Sequence, residues 1–164
     1  MPPWRPRQRI RVIAIGLHWR EGRLLAAEVC DDAGRLKGVR PLGGEVRFRE
    51  AWADALRREF QEELGIDVAL SGDVRTMENF FVHEGMEGHE IVFVSDVLFL
   101  DATFSDVESV TYHEDNGVSG EARWYDLADL DRPGGPRLFP DGLKALLLRD
   151  TGVGGGDEGA VRDG

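Results

Sequence analysis

Apolar residues recur along this chain in two rhythms. Ile10 to Leu17 is dense in isoleucine and valine and predicts a strand that ends near a turn at Glu21-Gly22; Arg23 to Val29 predicts its partner. A polar loop, Cys30 to Lys37, leads to a short predicted strand over Val39–Leu42 and then to Gly43-Gly44. There the period changes. Trp52, Leu56, Phe60 and Leu64 recur every fourth residue with Ala53 beside them, which predicts a helix from about Arg49 to Leu64 with one face on a sheet. Gly65 suits the left-handed position that closes a helix. Val68–Leu70 predicts a short strand. Thr76–His83 and His89–Leu100 predict a strand pair joined by Gly85-Met86-Glu87-Gly88. Ile91 to Val94 is apolar on both faces, as in a strand covered from both sides. A long loop, Asp101 to Gly120, a last strand, Arg123–Tyr125, and a short helix, Gly142–Leu148, complete the reading. Helices flanking a mixed sheet make an α/β sandwich.

Composition narrows the class. The 164 residues are enough for one domain with a buried core, here placed over residues 9–149. Residues 1–8 hold three prolines and two arginines, and Thr151 to Gly164 holds six glycines; both termini, 1–8 and 150–164, are expected to be mobile. The net charge of −11 opposes binding to long nucleic acid and makes an anionic substrate depend on cations for screening. Cys30 is the sole cysteine, which excludes an intrachain disulfide and a cysteine-rich metal site. No apolar run approaches the ~18 residues of a membrane span, and residues 1–8 lack a signal-peptide core, so a cytoplasmic protein is expected.

The chemistry gathers around the predicted helix. Glu59, Glu62 and Glu63 stand at i, i+3 and i+4, a spacing that collects carboxylate oxygens on one patch and suits a hard divalent cation such as Mg²⁺. Without such a cation, neighbouring carboxylates raise one another's pKa. A run of glutamates is by itself usually a solvated helix face. Here it is framed by Gly44, Glu50, Arg58 and Gly65.

Those residues resemble the Nudix box, Gly-x5-Glu-x7-Arg-Glu-aliphatic-x-Glu-Glu-x-Gly-aliphatic. Gly44, Glu50, Arg58, Glu59, Glu62, Glu63 and Gly65 match every fixed position, Ile66 matches the last apolar one, and Phe60 puts an aromatic where an aliphatic residue is usual. The resemblance implies a Nudix-type α/β/α sandwich with a mixed sheet. It also implies a Mg²⁺-dependent hydrolase, with Mn²⁺ as a substitute, that cleaves a diphosphate linkage in a nucleoside diphosphate joined to another group. Domains of this type often share pocket walls, so a homodimer is compatible with it, although no residue specifies one.

Roles follow residue by residue. Glu59 and Glu63 are expected to ligate metal directly, and Glu62 to share a second ion or accept a proton from the attacking water. By resemblance, the backbone at Gly43 or Gly44 adds a ligand. Arg58 neighbours Glu59 and precedes Glu62 by four, placing it to orient carboxylates. Glu50 precedes Arg58 by eight residues, about 12 Å if both are helical, too far for an easy contact. For a base outside the box the order of expectation is Glu121, then Glu90, then Glu114. Arg40 is the candidate phosphate contact. Phe80, Phe81 and Tyr112 are candidates for stacking on a base, although core packing is their commoner role. His18, Trp19 and Cys30 carry no functional signal. Two alternatives remain: a non-catalytic nucleotide-binding or sensor domain, which has no need of all three glutamates, and a prenyl diphosphate isomerase, which needs a catalytic cysteine where Cys30 lies in a predicted loop.

Overall fold

The computed structural model describes residues 2–114 and 116–152. Ten strands run in chain order: β1 (Ile10–Leu17), β2 (Trp19–Arg20), β3 (Arg23–Cys30), β4 (Leu36–Arg40), β5 (Gly43–Glu45), β6 (Val68–His83), β7 (Met86–Phe99), β8 (Ser109–His113), β9 (Ser119–Asp126) and β10 (Arg137–Leu138). Helix α1 (Trp52–Leu64) separates β5 from β6, and α2 (Leu143–Gly152) follows β10. A mixed sheet has the order β5-β1-β7-β6, with β1 and β7 parallel. A second sheet has the order β10-β4-β3-β9-β8, with β2 added beside β3.

Strand alternation divides the core in two. Ile13, Ile15 and Leu17 of β1, with Leu24 and Ala26 of β3, face Leu143 and Leu147 of α2. The intervening Ala14, Leu25 and Ala27 face Leu56 and Phe60 of α1. Helices therefore cover both sides, as expected of an α/β/α sandwich. The α1 side of β1 carries the small residues Ala14 and Gly16. A Cβ at Gly16 would lie 2.5 Å from the Phe60 ring, so this glycine lets the helix seat fully. Burying the Phe60 side chain contributes about 2–3 kcal/mol.

The strand pair is longer than its apolar residues suggest. β6 and β7 meet through a two-residue turn, Glu84-Gly85, in which both residues have positive φ, as tight hairpins require. Met86 to Gly88, expected in the connection, belong to β7. The stretch 101–120 is also not all loop: β8 lies within it and pairs with β9, burying Val110. Residues 2–8 form no regular element but rest against the sheet. Pro6 is buried, Trp4 stacks on Phe81, and Arg5 pairs with Asp32. Residues 153–164 lie outside the described residues.

Candidate functional site

The segment from Gly43 to Gly65 is shaped by three backbone requirements. Gly43, at φ 151°, pairs with Ile15, and a Cβ there would run into the Ala14 carbonyl. Gly44 lies directly over the Glu59 carboxylate, and a Cβ would occupy the space of the carboxylate itself. Gly65 closes α1 at φ 69° and donates its N–H to the Gln61 carbonyl.

Between these glycines, α1 starts at Trp52 rather than Arg49, because Arg49 has φ 65° and cannot join a right-handed helix. This shift decides the place of Glu50. Lying before the helix, in a turn where Arg47 N–H donates to its carboxylate at 3.1 Å, Glu50 folds back over the first turns of α1. It meets Arg58 in a two-pronged pair, Nε to Oε2 and Nη2 to Oε1, both at 2.8 Å. The 12 Å separation expected for two helical positions is removed because only one of them is helical.

Arg58 is the hub of the site. Besides Glu50, its Nη1 donates to Glu59 Oε1 at 2.8 Å and to Glu62 Oε2 at 3.3 Å, and its Nη2 donates to the Glu45 carbonyl at 3.0 Å. The planar guanidinium matches several fixed acceptors at once, a task a lysine ammonium cannot reproduce. The hydrogen bonds to Glu50 hold the guanidinium firmly protonated, and the same pair lowers the Glu50 carboxyl to about 2. Arg47 approaches Glu62 from the loop at 3.7 Å.

Of the α1 glutamates only Glu62 is exposed. Glu59 is buried beneath Gly44. Glu63 is largely enclosed, and its Oε2 has no hydrogen-bond partner among the described residues. Burial pushes the Glu63 carboxyl up to about 8; the charges of Glu59 and Glu114 act in the same direction, while Arg40 and the Gly43 N–H oppose it. Such a group is a proton carrier at neutral pH unless a cation replaces the proton. The donor set fits a hard divalent ion: carboxylate oxygens, one of them orphaned, beside a glycine whose missing side chain leaves the backbone open. Among the described residues the three glutamates do not all bring oxygens within 4.8 Å of one another, since Arg58 draws Glu59 and Glu62 toward itself. The trio that does converge is Asp32, His83 and Glu84, where Asp32 already pairs with Arg5 and His83 meets Lys37 Nζ at 3.0 Å.

The other candidates divide by strand parity. Arg40 lies opposite Ala27, whose side chain faces α1, and its charge reaches Glu63. Val110 and Tyr112 of β8 face α1 as well, and Glu114, just past the strand, acts electrostatically on Glu63. Glu121, expected first as an outside base, is not brought to the cluster. Its neighbours Ala122 and Trp124 turn toward α1, so Glu121 projects from the opposite face, where it accepts from the Thr111 hydroxyl at 3.0 Å. Glu90 is buried on the α2 side, held by Arg11 at 3.1 Å and Asn79 at 3.0 Å. The loop carboxylate whose charge acts on Glu63 is Glu114. Phe80 lies apart too, stacked on His89. A cleft of about 480 Å³ opens beside Glu59, lined by Ile10, Val12, Val46 and the exposed Phe48 together with Arg9, Glu45 and Arg47.

Residues 7–142 match the NUDIX domain family. The chain belongs to the Nudix family. It is accordingly a pyrophosphohydrolase, of a class that acts on nucleoside diphosphate derivatives with the help of divalent metal. Solved Nudix structures share its fold. The MutT protein of Methanosarcina mazei Go1 is 18% identical, with 90% of this chain and 96% of that one covered at a TM-score of 0.59. The E. coli ORF135 protein is 18% identical, with 90% and 95% covered at 0.57. A NUDIX hydrolase from Nitrosomonas europaea is 16% identical, with 89% and 90% covered at 0.55. No curated protein matches the chain. Among the described residues of this Nudix domain, no helix is long and apolar enough to cross a membrane.

Proposed function

We propose that this protein is a Mg²⁺-dependent hydrolase that cleaves the diphosphate linkage of a nucleoside diphosphate joined to another group. The catalytic unit spans residues 9–149, and the setting is cytoplasmic, with the protein acting alone or as a homodimer. The observation that carries the reading is the buried, unpartnered Glu63 Oε2, with Glu59 and the Gly43 N–H nearby. A carboxylate oxygen enclosed without a donor is costly unless a cation completes it.

Glu59, Glu62, Glu63 and the Gly44 backbone would hold the cation. A divalent ion there, when bound, offsets phosphate charge and lowers the pKa of a water. The protein's own residues do the rest. Arg58 clamps Glu59 and Glu62 so that their oxygens keep one orientation, and Glu50 in turn fixes the guanidinium plane. Arg40 binds a phosphate oxygen near Glu63. Glu62 takes the proton of the attacking water as its oxygen bonds to phosphorus, while the bridging P–O bond breaks and its electron pair leaves with the departing phosphate. Glu114, on the side of Glu63, is better placed than Glu121 to supply a further carboxylate. The cleft beside Glu59, where Ile10, Val12 and Val46 lie among the charged Arg9, Glu45 and Arg47, is the place left for a nucleoside.

The test is a panel of diphosphates incubated with Mg²⁺ or Mn²⁺ and read by product mass. Release of a nucleotide that fails in Glu59→Gln supports the reading. Turnover that persists in Glu59→Gln, or in excess chelator, refutes it.

A further inference from the structure

Tyr112 occupies an unusual position. It faces Gly120 across the β8–β9 ladder, and its ring lies flat over that glycine: a Cβ at Gly120 would stand 2.6 Å from the hydroxyl oxygen and 2.7 Å from a ring carbon. The tyrosine therefore does not stand up from the sheet as strand residues usually do. It lies across β9 toward β3, and the missing side chain of Gly120 is what permits this. Register puts Tyr112 on the α1 side, the side of Arg40, because Val110 and Ala27 share that half of the core. The ring is packed against the core there, which fixes its orientation. Its hydroxyl makes no hydrogen bond to any described residue. A half-buried hydroxyl held in place without a partner, among Arg40, Glu63 and Glu114, is a donor prepared for something outside the protein. An anionic oxygen is the acceptor that Arg40 alongside would also attract.

We infer that Tyr112 is a substrate-binding residue whose hydroxyl, seated by Gly120, donates a hydrogen bond to a non-bridging oxygen of the phosphoryl group lying beside Glu63. The inference rests on the diphosphate reading given above, and it assigns a role to β8 and β9 that the α1 segment does not contain. It places the phosphate-recognising end of the site at Arg40 and Tyr112, with the cleft beside Glu59 left for the nucleoside.

Two substitutions separate hydroxyl from position. Tyr112→Phe keeps the ring and its packing and removes only the donor. Gly120→Ala keeps the hydroxyl and drives the ring off the strand. Binding of methylenediphosphonate, a diphosphate that cannot be hydrolysed, is measured calorimetrically with Mg²⁺, alongside KM and kcat for whichever panel substrate is turned over. A hydrogen bond to a charged oxygen corresponds to about a 10- to 100-fold loss. Both variants should weaken methylenediphosphonate by that factor while near-ultraviolet circular dichroism shows Tyr112→Phe folded. Binding by Tyr112→Phe within twofold of the unsubstituted protein overturns this inference alone. Failure of the unsubstituted protein both to bind the diphosphonate and to hydrolyse the panel overturns the diphosphate reading with it.

Discussion

The raised Glu63 carboxyl makes the metal-free protein sensitive to pH in a direction opposite to that of most acids. An ordinary glutamate titrates near 4.5, and enclosure beside Glu59 moves this one to about 8. The folded protein thus holds a proton that the unfolded chain releases. The stabilisation is complete below pH 4.5, declines as pH rises, and is gone above 8. Each pH unit in that window removes about 1.4 kcal/mol, so roughly 3 kcal/mol is lost between pH 4.5 and 7, a sizeable share of a small domain's stability. Glu63→Gln carries no titrating proton and should lack the decline. Glu50 works in the other direction, its stabilising pair with Arg58 fading only as pH falls from 4.5 toward 2, and it is common to both proteins. The assay is urea unfolding at pH 5 to 9 in chelator, comparing the difference between the two proteins across the range. Magnesium should flatten the curve of the unsubstituted protein. A companion measurement counts protons: with its carboxyl raised to about 8, Glu63 is mostly protonated at pH 7, so Mg²⁺ binding should release most of a proton, detected calorimetrically in buffers of different ionisation heat. Parallel stability profiles for the two proteins, together with no proton release, would show that Glu63 is ionised without the cation and that the site is not built around it.

Three further outcomes follow from the geometry. Gly44→Ala puts a methyl group into the Glu59 carboxylate and should weaken Mg²⁺ at least tenfold while costing about 1–3 kcal/mol of stability, both measurable by calorimetry and urea unfolding. Arg58→Lys cannot serve Glu50, Glu59 and Glu62 together; kcat should fall tenfold or more with a smaller change in KM, and an unchanged kcat would remove Arg58 from the orienting role. Glu114→Gln should lower kcat whereas Glu121→Gln leaves it within twofold, a comparison that reverses if the carboxylate on the opposite face is the functional one.

Local chemistry was legible without any coordinates. The four-residue stripe through Leu56 and Phe60, the terminating Gly65 and the trio of glutamates follow from helix periodicity, which is set by neighbours in the chain. The strand at Ile10–Leu17 is equally plain, and the spacing from Gly44 to Ile66 carries the family resemblance. What pattern could not decide were contacts between residues far apart in sequence. The helix start depended on Arg49 adopting positive φ, and that turn alone brings Glu50 to Arg58. The enclosure of Glu59 and Glu63 comes from the Gly43-Gly44 turn and from β8, elements 15 or more residues away in the chain. Glu121 and Glu114 look alike as isolated acids. Only the pairing register of β8 with β9 settles which of them shares a face with α1, because moving one position along a strand turns a side chain to the other side of the sheet. Periodicity is a property of the chain and can be read from it; the choice of face belongs to the assembled sheet.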